Sequence, residues 1–183
     1  MTASEITWDS ARHAARRAYE LGRLSGALAR GAAAALAATP AFLICNRTPL
    51  AAACLAGFAL AVAAGRMRGQ EHWEGARSGA LAGILPCMIP GVLRIFAPDL
   101  CAQLFSQGAW ICALGGAAAG AVLGFRSRPA GARGTAYWAW ALLALGFAST
   151  LGCIPAGVLG FAGLAAGVLA GAAPVLAAGR ASL

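Results

Sequence analysis

Gly79-Ala80-Leu81-Ala82-Gly83-Ile84-Leu85-Pro86-Cys87-Met88-Ile89-Pro90-Gly91-Val92-Leu93-Arg94-Ile95-Phe96-Ala97 decides how the rest of the chain is read. A bilayer crossing takes about 20 apolar residues, and this run is long enough. Two prolines flank a thiol at its centre, and an arginine stands near its end. Pro86 and Pro90 each remove a backbone donor and loosen a carbonyl four residues back, in a medium where water cannot compensate. The run therefore predicts a proline-broken helix enclosed by neighbours. Such a helix needs a bundle around it.

The composition supplies one. Of 183 residues, 60% are hydrophobic and 11% charged, against roughly a quarter charged in soluble domains. The mean hydropathy is +0.73. The predicted fold is an all-α polytopic membrane protein: a bundle of six transmembrane helices preceded by an amphipathic cytoplasmic or interfacial helix over residues 1–30. The crossings are placed at about 31–45, 50–65, 79–97, 108–125, 136–151 and 156–178. No cleavable leader is expected, because Glu5 and Asp9 occupy the place of a positive n-region.

Charge tests this partition independently. All 14 basic residues are arginine, and the net charge is +8. With the N-terminus inside, the inner loops and termini collect every arginine except Arg47 and Arg94. The positive-inside rule then places both termini in the cytoplasm of a cell inner (plasma) membrane. The arginines are spread over the loops between apolar runs, so the excess charge orients the chain in a lipid bilayer, and nucleic acid is excluded as partner. Tyr137, Trp138, Trp140 and Trp110 are expected at the two aromatic belts.

Three glycine stripes at four-residue spacing, Gly75-Gly79-Gly83, Gly116-Gly120-Gly124 and Gly163-Gly167-Gly171, predict helices packed backbone to backbone. One stripe could instead serve a homo-oligomer. Leu85 to Leu93 and Leu151 to Leu159 share a Cys-Pro pattern, which raises an inverted three-plus-three repeat of the kind that marks midplane sites in transporters. The proline-flanked Cys87 and Cys153 resemble those of the DsbD/CcdA family of membrane thiol carriers. That resemblance implies thiol-disulfide exchange across the membrane, although the family's cysteines belong to the first and fourth core spans rather than the third and sixth. The chain also has the dimensions of the substrate-binding subunits of energy-coupling vitamin transporters.

On this topology Cys45, Cys54, Cys101, Cys112 and Cys153 gather near the outer face, and Cys87 alone is mid-span. Disulfides in an oxidising space are one expectation. A thiolate site for a soft metal, with Cys45, Cys101 and Cys112 as ligands, is another. Cys87, Pro86, Pro90, Cys153 and Arg94 are the pathway or redox candidates. Arg12, Arg16, Arg23 and Arg30 recur at offsets of four and seven along one helical face, which suits a basic lead-in lying in the lipid headgroup plane and anchoring orientation; a docking surface for a cytoplasmic or membrane-complex partner is the alternative. Glu71, His72 and Glu74 fall in a polar stretch, Arg66 to Ser78, read as a solvated loop. No catalytic motif is visible and no cofactor is indicated, so a non-enzyme is expected. The leading expectation is a small transporter or channel-like subunit for a small solute or soft metal ion. The alternatives are a transmembrane thiol-disulfide carrier, or a scaffold that docks a cytoplasmic protein.

Overall fold

The structure, a computed structural model, describes residues 8–45, 48–96, 108–127, 134–153 and 157–180, with some side chains in these ranges excepted. The described residues form six helices: α1 (Trp8–Cys45), α2 (Pro49–Arg68), α3 (Gln70–Phe96), α4 (Gly108–Ser127), α5 (Thr135–Cys153) and α6 (Gly157–Arg180). Three of these helices are long and apolar enough to cross a membrane, over Pro49–Arg68, Trp110–Ser127 and Gly157–Ala178; Thr135–Leu151 is a shorter apolar stretch.

Local chemistry sets the breaks. Thr48 caps α2 by accepting a hydrogen bond from the Ala51 N–H at 3.3 Å, and Pro49 follows where its missing donor costs nothing. Gly69 separates α2 from α3 with φ 129°, a conformation closed to side-chain-bearing residues, and its carbonyl accepts from the Trp73 N–H at 3.0 Å. That single residue does the work expected of a loop. The stretch from Arg66 to Ser78 is otherwise helical, so α2 runs to Arg68 and Glu71, His72 and Glu74 lie in the first turns of α3. At about 1.5 Å per residue, α2 spans roughly 30 Å, twenty residues in place of the short crossing expected.

The expected break in the third crossing is also corrected, because α3 is helical through both Pro86 and Pro90. Pro86 is buried, and its ring occupies the room left by Gly115 of α4, where a Cβ would lie 2.8 Å from the proline Cβ. In α5 the helix continues past Ser149 and Thr150, since the Thr150 hydroxyl donates to the Gly146 carbonyl at 2.6 Å and satisfies itself within the helix. No break separates the basic lead-in from the apolar part of α1.

The most extensive packing joins α4 to α6 and α3 to α5. In both pairs the partners run in the same direction. Added Cβ atoms at Gly75 and Gly79 would collide with the carbonyl oxygens of Tyr137 and Ala141, and one at Gly83 would lie 2.6 Å from the Ala148 Cβ. Gly116 and Gly120 likewise meet the backbone of Leu164 and Val168, while Gly167 and Gly171 meet that of Ala113 and Ala117. These glycines face partners inside the chain.

Helix α5 contributes to both of the larger core clusters. Ala144, Ala148 and Leu151 pack with Ala38, Cys54, Phe58 and Val62 of α1 and α2; Tyr137, Ala141 and Leu145 pack with Ala82, Ala119 and Leu123 of α3 and α4. Tyr137 is 0% exposed. Its ring sits in the cluster of Ala82, Ala119 and Leu123 and meets the Trp138 ring edge-on at 5.7 Å, so it does not face outwards as a belt residue would. Trp110, 72% exposed, does stand on the surface.

An inverted three-plus-three repeat requires α4 to pack on α5 as α1 packs on α2. Among the described residues α1 and α2 pack extensively, whereas α4 and α5 do not pair. The Cys-Pro echo is therefore a local similarity without a matching architecture.

Candidate functional site: an arginine groove at one end of the bundle

The two segments around Gly69 bring basic and aromatic residues to the end of the bundle where α2 stops and α3 begins. Here α1 runs past the other helices, and residues 10–25 are exposed throughout. The Arg23 guanidinium donates to the Met67 carbonyl at the end of α2 and lies 5.7 Å from the Tyr19 ring centroid. This carbonyl is among the last four of α2, which lack partners within the helix, so the bond both satisfies an orphan acceptor and ties α1 to α2.

Arg30 and Arg66 share one indole. Their guanidinium carbons lie 5.5 and 5.9 Å from the Trp73 ring centroid. Arg68 stacks in the same manner over Trp140 at 5.4 Å, and His72 meets the Trp140 edge with centroids 6.0 Å apart. A cation over an aromatic face gains roughly 0.5–1 kcal/mol at exposed sites, enough to orient these long side chains without neutralising them.

A groove opens on each side of the Arg23–Met67 contact. One, of about 360 Å³, is lined by Tyr19, Gly22, Arg23, Gly26, Arg30 and Arg66. None of the six is acidic. Glycine makes the space: a Cβ at Gly22 would meet nothing within 4 Å, and one at Gly26 only the Arg30 Nη1 at 3.7 Å. The other, of about 620 Å³, is lined by Arg17, Glu20, Leu21, Arg23, Leu24 and Met67. Three guanidiniums around a space without a carboxylate leave a positive potential that an anion would lower, and planar guanidiniums suit a multi-oxygen anion best.

The structure divides the arginine face expected on the first helix. Arg23 and Arg30 turn towards α2 and α3, whereas Arg16 pairs with Glu20 at 3.2 Å on an exposed surface and Arg12 lies farther out, exposed. Sequence periodicity links the four, and it missed Arg66 and Trp73. The proximity of Arg30 to Arg66 follows from the α1–α2 packing, where a Cβ at Gly31 would lie 3.1 Å from that of Ala63.

The thiol candidates fare differently. Cys54 is a buried free thiol in the core shared by α1, α2 and α5. Cys112 is buried against Leu164 at the α4–α6 seam, so these two belong to separate clusters. Cys101 lies outside the described residues, as do the side chains of Cys45, Cys87, Pro90, Arg94 and Cys153. Among the described residues no three His, Cys, Asp or Glu side chains gather to hold a metal ion. The set Cys45, Cys101 and Cys112 is therefore represented only by Cys112. Comparison with protein families, with characterised proteins and with solved structures gives no match.

Proposed function

We propose that this is an inner-membrane protein of six crossings, both termini cytoplasmic, that recognises an anion at its cytoplasmic end. In this reading it is the mouth of a small transporter or channel-like subunit. The observation that carries it is the groove of Arg23, Arg30 and Arg66 with no acidic lining residue. A soft metal cation is the poorer solute for such a site, since three guanidiniums repel it. The crossing number is supported by helix direction. Gly75, Gly79 and Gly83 meet α5 in ascending order, as Gly116, Gly120 and Gly124 meet α6, so helices two apart run parallel. Alternating crossings produce that pattern, and they place Arg66, Arg68, Arg126 and the long basic end of α1 on one side.

Isothermal titration of the detergent-solubilised protein with a panel of anions tests the reading. Arg30→Gln/Arg66→Gln is expected to weaken binding at least about tenfold, since hydrogen bonds to charged groups contribute about 1.5–3 kcal/mol each. Undiminished anion binding by the double variant would refute the assignment. A second reading, a scaffold for a soluble partner, is favoured by the exposure of α1 from Ser10 to Ser25. A stoichiometric soluble protein that copurifies with the native chain but not with Arg12→Glu/Arg16→Glu would support it.

A further inference from the structure

Resting on that reading, we infer that the anion held in the groove of Arg23, Arg30 and Arg66 is the phosphate of an anionic membrane lipid rather than a water-borne solute. Depth is the first argument. Arg66 ends the apolar run of α2 that begins at Pro49, and Arg30 immediately precedes the apolar part of α1 that begins at Gly31. Their guanidiniums therefore stand where hydrocarbon gives way to headgroups, the level at which basic pockets between membrane helices meet lipid phosphate. Trp73, beneath both, is a residue suited to that boundary.

The surroundings are amphiphilic in the same sense as a lipid. Along the face of α1 that carries Gly26 and Arg30, Ala33 and Ala37 are exposed, so apolar surface continues from the charged site. A soluble phosphate would leave that surface unused, whereas acyl chains would cover it. The groove, at about 360 Å³, is also roomy for a bare phosphate and takes a headgroup. Its donors suit the ligand. Arg23 is held by the Met67 carbonyl and Arg30 and Arg66 by one indole, so three guanidiniums are positioned before an anion arrives. A phosphate diester presents oxygens to several such donors at once.

The test uses the full chain in nanodiscs of equal phosphatidylglycerol and phosphatidylcholine, with retained lipid read by native mass spectrometry, and a parallel titration with inorganic phosphate. Native protein is expected to retain phosphatidylglycerol about tenfold over phosphatidylcholine, and Arg30→Gln/Arg66→Gln to lose the preference. Gly22→Leu/Gly26→Leu fills the groove without removing charge, replaces two poor helix formers on an open surface, and is expected to lose it too. Arg12→Gln, outside the groove, should keep it. If the filled-groove variant retains the preference, general basicity is responsible and the inference falls. Equal retention of both lipids with clear binding of inorganic phosphate overturns the lipid source and leaves the anion reading standing. Equal retention with no phosphate binding overturns both.

Discussion

Replacing Gly79 by alanine adds one methyl group at the tightest kind of contact in this fold. The new Cβ would overlap the Ala141 carbonyl oxygen and lie 2.7 and 2.8 Å from its carbonyl carbon and Cα, where ordinary contact begins at 3.4 Å. Neither side of this contact is a flexible side chain. The α3 and α5 backbones must therefore separate by more than half an ångström along a seam that also holds Gly75, Gly83, Ala82 and Leu145. A gap of about 0.5–1 Å forfeits about a quarter to a half of each dispersion contact it affects. Overpacking of this kind costs about 1–3 kcal/mol, offset by up to about 1 kcal/mol from alanine's better helix propensity. A net loss of about 1–2 kcal/mol lowers the melting midpoint of a chain this size by about 2–8 °C. Gly146→Ala is the matched comparison, because its Cβ would meet nothing within 4 Å on the same helix pair. Thermal unfolding in detergent, followed by circular dichroism and tryptophan fluorescence, should place Gly146→Ala at or slightly above the native midpoint and Gly79→Ala well below it. Coincident melting of the two variants would show that the α3–α5 backbones are not in contact.

Gly57→Ala should cost less than Gly79→Ala, because its Cβ would meet the rim of the Phe147 ring at 2.6 Å and that ring can turn; adding Phe147→Leu should restore the native midpoint in the same melt. Trp73→Ala removes the ring shared by Arg30 and Arg66 and should lose roughly 1–2 kcal/mol of stability, with Trp73→Phe recovering about half of it; equal melting of both variants would sever the aromatic ring from the arginines' placement. Reporter fusions after residues 47, 100 and 155 should report the outer side and those after 69, 130 and 181 the cytoplasm; any fusion on the opposite side removes the six-crossing reading.

The helical, apolar character of the chain is legible because it is written in composition and in runs such as Leu50 to Gly65. The end of a helix is less so. Gly69 stops α2 through one unusual backbone angle, while Arg66, Arg68, Glu71 and Glu74 around it look like solvated loop on polarity alone. Pro86 shows the converse. A proline reads as a break, yet α3 continues through it with the ring lodged against Gly115, a residue of another helix that no local rule could nominate. The groove was half visible. The spacing of Arg12, Arg16, Arg23 and Arg30 is periodic within one helix, but Arg66 and Trp73 join only through the antiparallel packing of α1 on α2 and the turn into α3. Tyr137 illustrates the same limit: its neighbours Trp138 and Trp140 suggest a belt, whereas its burial comes from Ala82, Ala119 and Leu123 on two other helices.

The closest partnerships skip a neighbour: α3 with α5, and α4 with α6. During synthesis, α3 is made with its glycine face unmatched and must wait for α4 and then α5 to follow, while α4 waits in turn for α6. Assembly by successive hairpins is thereby ruled out for this half of the chain, and the two waiting periods overlap. A cut in the connection between α4 and α5 would sever both partnerships at once, whereas one between α1 and α2 would sever neither, so the chain should tolerate being made in two pieces only when it is divided early.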